Sequence, residues 1–220
     1  MVRSVLWNHG AVAACLFGSA GSARFWQAWT YLGVHLTATI CTCAYFYRRN
    51  PALLERRLLK KETLFAQKFI MVIWRVLGAS SLVLAGYDHR FQWSRTVLKP
   101  VPFWLELLSL LFIAGGHILF FQVVKTNSFA ASVIQVEASQ PVITSGPYGL
   151  VRHPMYLGFA LMTVFTPLAL GSFIALPVST FILPMIAWRL LNEEKMLRGA
   201  LPGYVEYCRQ TRCRLIPYVW

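Results

Sequence analysis

The feature that most constrains the fold of this chain is an apolar stretch at residues 155–191. At roughly 37 residues it is too long for a single membrane-spanning helix, which needs about 20. Pro167 and the pair Gly171-Ser172 lie near its middle, and residues of these types interrupt or turn helices. The pattern therefore predicts a helical hairpin that enters a bilayer, turns, and returns to the same side.

The composition supports a membrane environment. The chain has 220 residues, of which 57% are hydrophobic and 13% are charged, whereas a soluble domain has about 25% charged residues. Its 21 Lys and Arg outnumber 8 Asp and Glu, which gives a net charge of +13. In a soluble protein this excess would suggest nucleic-acid binding. With so much apolar sequence, it indicates membrane lipids and cytoplasmic loops as the partners of the basic residues, and no nucleic acid.

Four more apolar segments precede the hairpin, at residues 5–19, 25–47, 69–87 and 101–124. The first is short and follows Arg3, as a signal peptide would. Because Arg24 and Trp26 soon lead into the next segment, a genuine first helix is favoured. We therefore predict an all-α, polytopic transmembrane bundle of six membrane segments. Residues 1–124 would form about four N-terminal spans, and residues 125–220 would carry the hairpin, the polar segments around it and a tail.

The distribution of charge predicts the orientation. The loop 48–61 has six basic residues and one acid, Glu55, so it should be cytoplasmic. Alternation from there places both 125–154 and 192–220 on the cytoplasmic side. Folding should then bring Arg152-His153 close to Asn192-Glu193-Glu194. We expect an integral protein of the bacterial inner membrane, with these polar residues facing the cytoplasm; the face would also include Gln135, Tyr148, Tyr156, Arg189, Tyr204 and Tyr207.

Arg189 and Glu193 are four residues apart, so on a helix they share a face. Arg189 would lie one turn closer to the membrane, where the acidic group of a lipid-borne molecule could reach it. Glu193 would face the cytosol, where a soluble cofactor could arrive. The alternative is structural: Arg189 extends its charge to the interface and pairs with Glu193.

Polar residues within the other apolar segments carry weaker signals. His35 and His117 are expected to hydrogen-bond between helices, and Glu106 to be structural near the outer surface. Arg75 is a functional candidate or a side chain that extends to the interface, and the sequence favours neither. The five cysteines are interpreted as small apolar residues, and the spacing of His, Cys, Asp and Glu suggests no metal site.

Two motifs carry a family resemblance. The stretches "GPYGLVRHPMYLG" and "RLLNEEKMLRGALPGYVEY", on either side of the hairpin, resemble the isoprenylcysteine carboxyl methyltransferase family of integral membrane enzymes, which overlaps the phospholipid methyltransferases. The resemblance is specific over residues 127–220. It implies a helical bundle that binds S-adenosylmethionine at the cytoplasmic face, between the segment before the hairpin and the helix that leaves it.

The resemblance also implies roles for individual residues. Arg189 matches the arginine that serves the methyl-accepting carboxylate. The residues that match cofactor-binding positions are Gln135, Gln140, Pro141, Val142, Ile143, Tyr148, His153, Pro154, Met155, Tyr156 and Glu193. The chain departs from eukaryotic members, because Asn192-Glu193-Glu194 replaces a longer acidic run and additional N-terminal helices are missing.

The resemblance favours carboxyl O-methylation of an isoprenylcysteine-like acceptor. A phospholipid amine, a small thiol or an isoprenoid acid stays open as the acceptor, and so does the oligomeric state. A different class is also possible, because "RLIPYVW" and the RH-x-x-Y pattern resemble membrane sterol reductases that use NADPH. The Gly-Pro-Tyr sequence before the RH-x-x-Y pattern and the Asn-Glu-Glu sequence after the hairpin favour the methyltransferase. The joint presence of His153, Tyr156, Arg189 and Glu193 argues against a membrane protein without catalytic activity.

Overall fold

The computed structural model describes residues 2–59, 65–129 and 140–220, and within these ranges the fold is all-α, without a β-strand. Two short helical turns, at Ser94–Leu98 and Gly146–Gly149, supplement the α-helices. In the described ranges the α-helices are α1 (Val2–Ala20), α2 (Trp26–Arg49), α3 (Pro51–Leu59), α4 (Phe65–Phe91), α5 (Phe103–Thr126), α6 (Pro154–Ala169), α7 (Leu176–Thr180), α8 (Ile182–Ala200) and α9 (Tyr204–Gln210).

Two helices in the described ranges, α4 over Lys68–Phe91 and α5 over Phe103–Thr126, are long and apolar enough to cross a bilayer. Helix α6 is apolar but shorter. The all-α class is therefore confirmed, while the six-segment topology stays a prediction. Helix α4 begins and ends outside the predicted segment 69–87, and the basic loop 48–61 contains helix α3.

The predicted hairpin consists of α6, a turn with the short α7, and α8. Pro167 lies inside α6 and does not end it, whereas the turn itself follows at Gly171, which has a positive φ of 73°. The amide of Ser172 closes this turn by donating to the carbonyl of Pro167 at 2.9 Å. Glycine suits the left-handed conformation that such a helix end requires.

Helix α8 extends beyond the predicted apolar stretch. The polar sequence begins at residue 192, and α8 continues to Ala200. Glu193 and Glu194 therefore lie on the same helix as Arg189, which agrees with the shared helix face expected for Arg189 and Glu193. Residues 193–198 are Glu, Lys, Met, Leu and Arg, which are good helix formers. The helix breakers Pro202 and Gly203 follow shortly after the end of α8. Hydropathy marked the end of the apolar stretch but not the end of the helix.

Helices α5 and α6 form the most extensive helix pair among the described residues. They cross at Gly116 and Gly158, where a Cβ on Gly116 would lie 2.8 Å from the Gly158 carbonyl oxygen. A Cβ on Gly158 would lie 2.9 Å from the Gly116 carbonyl oxygen. Only residues without a side chain allow two helix backbones to approach this closely. This contact sets the separation between the two helices that lead into the polar end of the bundle.

Polar side chains also join the helices elsewhere. His117 and His35 form the expected interhelical hydrogen bond, with 2.9 Å between Nε2 and Nδ1. At the end of the bundle where α5 starts and α6 finishes, buried Asp88 accepts hydrogen bonds from Ser94 and Ser172. Glu106 is buried nearby and accepts from Gln27. All five cysteines are free thiols.

The crossing of α5 and α6 yields a prediction with a matched control. Gly116→Ala should destabilise the protein by about 1–3 kcal/mol, the usual range for overpacking, because the new methyl group would press on the backbone of α6. Gly115→Ala adds the same methyl group one residue earlier, where no atom lies within 4 Å. It should be neutral or stabilising by up to about 1 kcal/mol, since alanine favours helix. Thermal unfolding in detergent measures both, and equal effects would contradict the assignment.

Candidate active site

A cleft opens at the end of the bundle where α5 finishes and α6 begins. Its walls are the loop 140–143, the segment 152–156, and the faces of α8 and α9 that oppose them. Its interior volume is about 90 Å³, which is smaller than the roughly 300–1,000 Å³ of most small-ligand sites. A ligand of nucleoside size would therefore extend into the open mouth of the cleft.

Most residues that the family resemblance assigns to the cofactor lie around this cleft. The loop before the hairpin, the start of α6 and the end of α8 contribute Gln140, Pro141, Val142, Ile143, Tyr148, His153, Pro154, Met155, Tyr156 and Glu193 to its lining. Gln135 falls outside the described residues. Arg189 does not line the cleft but is buried on α8, one turn further into the bundle than Glu193. The exposed Arg75 on α4 is not in the lining either.

The two polar segments meet through Glu194, as the orientation argument predicted. Glu194 is only 3% exposed. Its Oε1 accepts from Arg152 Nε at 2.7 Å and lies 3.4 Å from His153 Nε2. Its Oε2 accepts from Arg214 Nε at 3.2 Å and is 3.6 Å from Arg198 Nη2. One buried carboxylate thus holds together the segment before the hairpin, α8 and the residues after α9.

These contacts control the ionisation of Glu194. Burial by itself would raise the pKa of this carboxyl group, but the contacts with His153 and Arg152 outweigh burial and lower the pKa to about 2. The carboxylate therefore stays charged at all physiological pH values. A buried charge of this kind is stable only while its partners remain in place, which makes the geometry of the site depend on Arg152.

The residues after α9 complete the support of the cleft. The backbone amides of Arg152 and His153 donate to the carbonyls of Cys213 and Arg214, at 3.0 and 2.9 Å. Arg152 Nη1 also donates to the carbonyls of Thr211 and Arg212, at 3.0 and 3.1 Å. Both the main chain and the side chain of the Arg152-His153 segment are therefore held from behind by residues 211–214.

Aromatic hydroxyls of α9 lie on the opposite wall. Tyr207 donates to the carbonyl of Tyr148 at 2.8 Å, and Tyr148 Oη accepts from Asn127 Nδ2 at 3.0 Å. Burial, and then the negative charge of Glu194, raise the pKa of Tyr204. Burial raises the pKa of Tyr207 as well. Both hydroxyls therefore remain protonated and can donate hydrogen bonds near neutral pH.

Tyr156 connects the cleft with Arg189. Its hydroxyl lies 2.7 Å from Glu193 Oε2 and 3.0 Å from Arg189 Nε. Tyr156 and Arg189 are both buried, at 4% and 5% exposure. The hydroxyl of Tyr156 therefore bridges the carboxylate of Glu193 and the guanidinium of Arg189.

The cleft has the groups that S-adenosylmethionine would need. His153 Nε2 and Tyr204 Oη are buried without a well-aligned hydrogen-bond partner among the described residues, and both residues line the cleft. A buried polar atom without a partner costs about 1–3 kcal/mol, so a polar ligand that contacts them is expected. Glu193 can accept from hydroxyl or ammonium groups, and Met155, Met196 and Leu197 offer apolar contacts. This set fits a charged nucleoside better than a purely apolar molecule.

Several lining residues were not assigned from the sequence. Met196, Leu197 and Leu201 line the cleft because α8 continues beyond residue 191, which puts Met196 and Leu197 three and four residues after Glu193 on the same face. The helical periodicity of the motif could have identified them. Tyr204 and Tyr207, named only as polar residues of this face, are likewise three residues apart on α9 and line the cleft.

The Glu194 contacts yield a second prediction. Glu194→Gln should destabilise the protein by about 3–5 kcal/mol at pH 7, because it leaves Arg152 buried without its counter-charge. Glu206→Gln, in an exposed pair with Arg209 at 3.8 Å, should change stability by about 1 kcal/mol or less. Unfolding in detergent measures both.

The loss of stability caused by Glu194→Gln should also depend on pH. The folded-state pKa of Glu194 is about 2 and lies below the ordinary value of 4.5. Its stabilisation is therefore complete above the ordinary pKa and is lost as the pH falls from there towards the folded-state value. The difference between the wild type and Glu194→Gln should shrink over that interval. An unchanged difference would show that the charge of Glu194 is not the stabilising element.

Comparison with known proteins adds evidence of relationship. Residues 107–199 match the profile of the isoprenylcysteine carboxyl methyltransferase (ICMT) family. The cobalt-zinc-cadmium resistance protein CzcN of Cupriavidus metallidurans is 27% identical over 146 residues, which cover 63% of this chain and 60% of that protein. The Delta(14)-sterol reductase TM7SF2 of Mus musculus is 31% identical over 161 residues, which cover 66% of this chain and 38% of that protein.

The chain thus spans less than two thirds of the length of either relative. The family profile, in contrast, includes most of α5, the hairpin and nearly all of α8. These are the elements that carry the His153 and Glu193 walls of the cleft and the Gly116–Gly158 crossing. Residues 107–199 of this chain are thus similar to the isoprenylcysteine carboxyl methyltransferase family.

Proposed function

We propose that this protein is an integral membrane methyltransferase that uses S-adenosylmethionine to methylate a lipophilic acceptor. The favoured reaction is carboxyl O-methylation of an isoprenylcysteine-like molecule. The observation that carries the proposal is the cleft itself: residues from both family motifs line it, and His153 Nε2 and Tyr204 Oη in its wall have no well-aligned hydrogen-bond partner among the described residues. A ligand with several hydrogen-bonding groups would satisfy them.

Different residues of the cleft would bind different groups of the cofactor. His153 and Tyr204 would hydrogen-bond its polar groups, and Glu193 would accept from the ribose hydroxyls or the ammonium group. The loop 140–143 would provide backbone groups, and Gln135 is assigned to the cofactor by its motif alone. Bound S-adenosylmethionine would supply a methyl group on a sulfonium. An ionised acceptor carboxylate would attack the methyl carbon, and as the C–O bond forms the C–S bond would break and release S-adenosylhomocysteine.

The acceptor would approach from the membrane side. Arg189 lies among the apolar residues of α8, with Ile186 and Leu190 fully buried beside it. A guanidinium can hold a carboxylate through paired hydrogen bonds. Because the carboxylate is ionised at neutral pH, no general base is required, and the protein mainly has to align two reactants and exclude water. An amine or thiol acceptor would need deprotonation, for which His153 or a tyrosine would be the nearest candidate.

The proposed placement follows from the charges of the chain. The cleft would face the cytoplasm of a bacterial cell from the inner membrane, with residues 1–124 as N-terminal spans and 125–220 as the methyltransferase region. The basic residues of loop 48–61 and of the tail support this orientation. Membrane lipids would surround the apolar faces, and Arg75 would extend from α4 towards the interface.

A second candidate is an NADPH-dependent reductase of the sterol reductase type. The similarity to the mouse Delta(14)-sterol reductase favours it. That similarity extends over 38% of the reductase, whereas the family profile matches the region that builds the cleft. The methyltransferase is therefore the stronger proposal.

Ligand binding distinguishes the two candidates. S-adenosylhomocysteine should bind the purified protein in calorimetry and raise its unfolding temperature, and NADPH should do neither. His153→Ala and Glu193→Ala should each weaken this binding about tenfold or more, as expected for loss of a hydrogen bond to a charged group. Glu206→Ala, a control on the exposed face of α9, should bind normally. Stabilisation by NADPH alone would favour the reductase and contradict the proposal.

Arg189 provides a test of the acceptor. With N-acetyl-S-farnesylcysteine as the acceptor, Arg189→Ala should lower kcat/KM about ten- to over a hundred-fold, as loss of a charged hydrogen bond of roughly 1.5–3 kcal/mol implies. Affinity for S-adenosylhomocysteine should change much less. Arg189→Lys should recover part of the activity, because an ammonium group cannot reproduce the planar fork.

Arg75→Ala is the matched arginine control, since this exposed residue lies outside the cleft; its kcat/KM should be close to that of the wild type. If Arg189→Ala weakened cofactor binding as strongly as Glu193→Ala does, Arg189 would be only a structural partner of Glu193.

A further inference from the structure

The link between Glu193, Tyr156 and Arg189 has a defined direction. A guanidinium has only donors, so Arg189 Nε must donate to the Tyr156 oxygen across 3.0 Å. The single hydroxyl hydrogen of Tyr156 then points to Glu193 Oε2, which is 2.7 Å away. A carboxylate has only acceptors, so both ends of the link are satisfied. The order of donation is fixed as Arg189 to Tyr156 to Glu193.

The two ends of this link lie in different places. Glu193 lines the cleft, whereas Arg189 is buried one turn further along α8 and does not line it. If the proposed function is correct, Glu193 contacts the cofactor and Arg189 contacts the acceptor. The hydroxyl of Tyr156 then contacts both ligand-binding groups.

We propose that Tyr156 is a positioning residue that makes cofactor and acceptor bind cooperatively. A ligand that fixes the Glu193 carboxylate also fixes the direction of the Tyr156 hydroxyl, and this hydroxyl fixes Arg189 Nε. The acceptor then binds to an arginine that is already ordered, so less conformational freedom is lost on binding. By linkage, the acceptor must strengthen cofactor binding by the same factor.

This role differs from a purely structural one. A tyrosine that only fills space would change stability and weaken both ligands when altered, but each ligand would still bind independently of the other. The distinguishing quantity is the coupling factor, the ratio of cofactor affinities with and without the acceptor. Coupling between sites commonly amounts to about 5–150-fold.

The experiment measures S-adenosylhomocysteine binding by calorimetry, with and without saturating N-acetyl-S-farnesylcysteine. S-adenosylhomocysteine lacks the sulfonium charge, so direct attraction between that charge and the acceptor carboxylate does not contribute. The wild type should show a coupling factor of about five or more. Tyr156→Phe removes only the hydroxyl, and its factor should fall to about one. Tyr207→Phe, which removes another hydroxyl from the cleft, should keep the wild-type factor even if its affinity is lower.

A second variant covers the case in which Tyr156→Phe does not fold. Arg189→Lys keeps the buried positive charge, but its single ammonium group cannot reproduce contacts to both Tyr156 and an acceptor carboxylate in the planar geometry of arginine. Its coupling factor should therefore also fall to about one, with little change in affinity for S-adenosylhomocysteine alone.

The outcomes separate this inference from the proposed function. Binding of both ligands to the wild type with a factor of one would overturn the coupling and leave the proposed function standing. An unchanged factor in Tyr156→Phe or Arg189→Lys would do the same. Failure of either ligand to bind the wild type would overturn the proposed function as stated, and the coupling with it.

Discussion

The polar end of the molecule depends on one buried carboxylate. Glu194 is surrounded by Arg152, His153, Arg198 and Arg214, which come from three separate parts of the chain. A carboxylate in that position is costly to bury alone and becomes tolerable only through these contacts. Each partner is consequently held where Glu194 needs it. The shape of the cleft follows from this requirement, because Arg152 and His153 begin the wall that α6 continues.

Charged contacts and apolar packing determine different parts of the geometry at this end of the molecule. The glycine crossing of α5 and α6 fixes how close two helix backbones lie, and it does so without polar groups. The contacts of Glu194 then orient the segment Arg152-His153, which directly precedes α6, against α8. Neighbouring glutamates on α8 thus act differently: Glu194 is directed inward to arginines, while Glu193 is directed to the cleft and to Tyr156.

Much of the architecture could be predicted from hydropathy and motif position. The length of the stretch 155–191 required a hairpin, and the hairpin required its two flanking polar segments to meet. The residues His153, Tyr156 and Glu193 do lie together at one cleft. The end of α8 was not predicted, because hydropathy falls at residue 192 while helix propensity does not. The hydrogen bonds from Arg152 to the carbonyls of Thr211 and Arg212 could not be predicted. Every residue has a backbone carbonyl, so the order of side chains does not show which carbonyl will accept.

The attachment of residues 213 and 214 to the amides of Arg152 and His153 has a consequence for biosynthesis. Translation releases the chain from its N-terminal side, so α1 to α6 can pack before these residues leave the ribosome. Until then the amides of Arg152 and His153 lack these two carbonyl partners, although Arg152 Nε can pair with Glu194 once α8 has formed. The bundle can therefore assemble early, but the cleft acquires its final form only after translation has passed α9. A ribosome that stalls within α9 would leave a chain in which the cleft wall at Arg152-His153 is not yet supported.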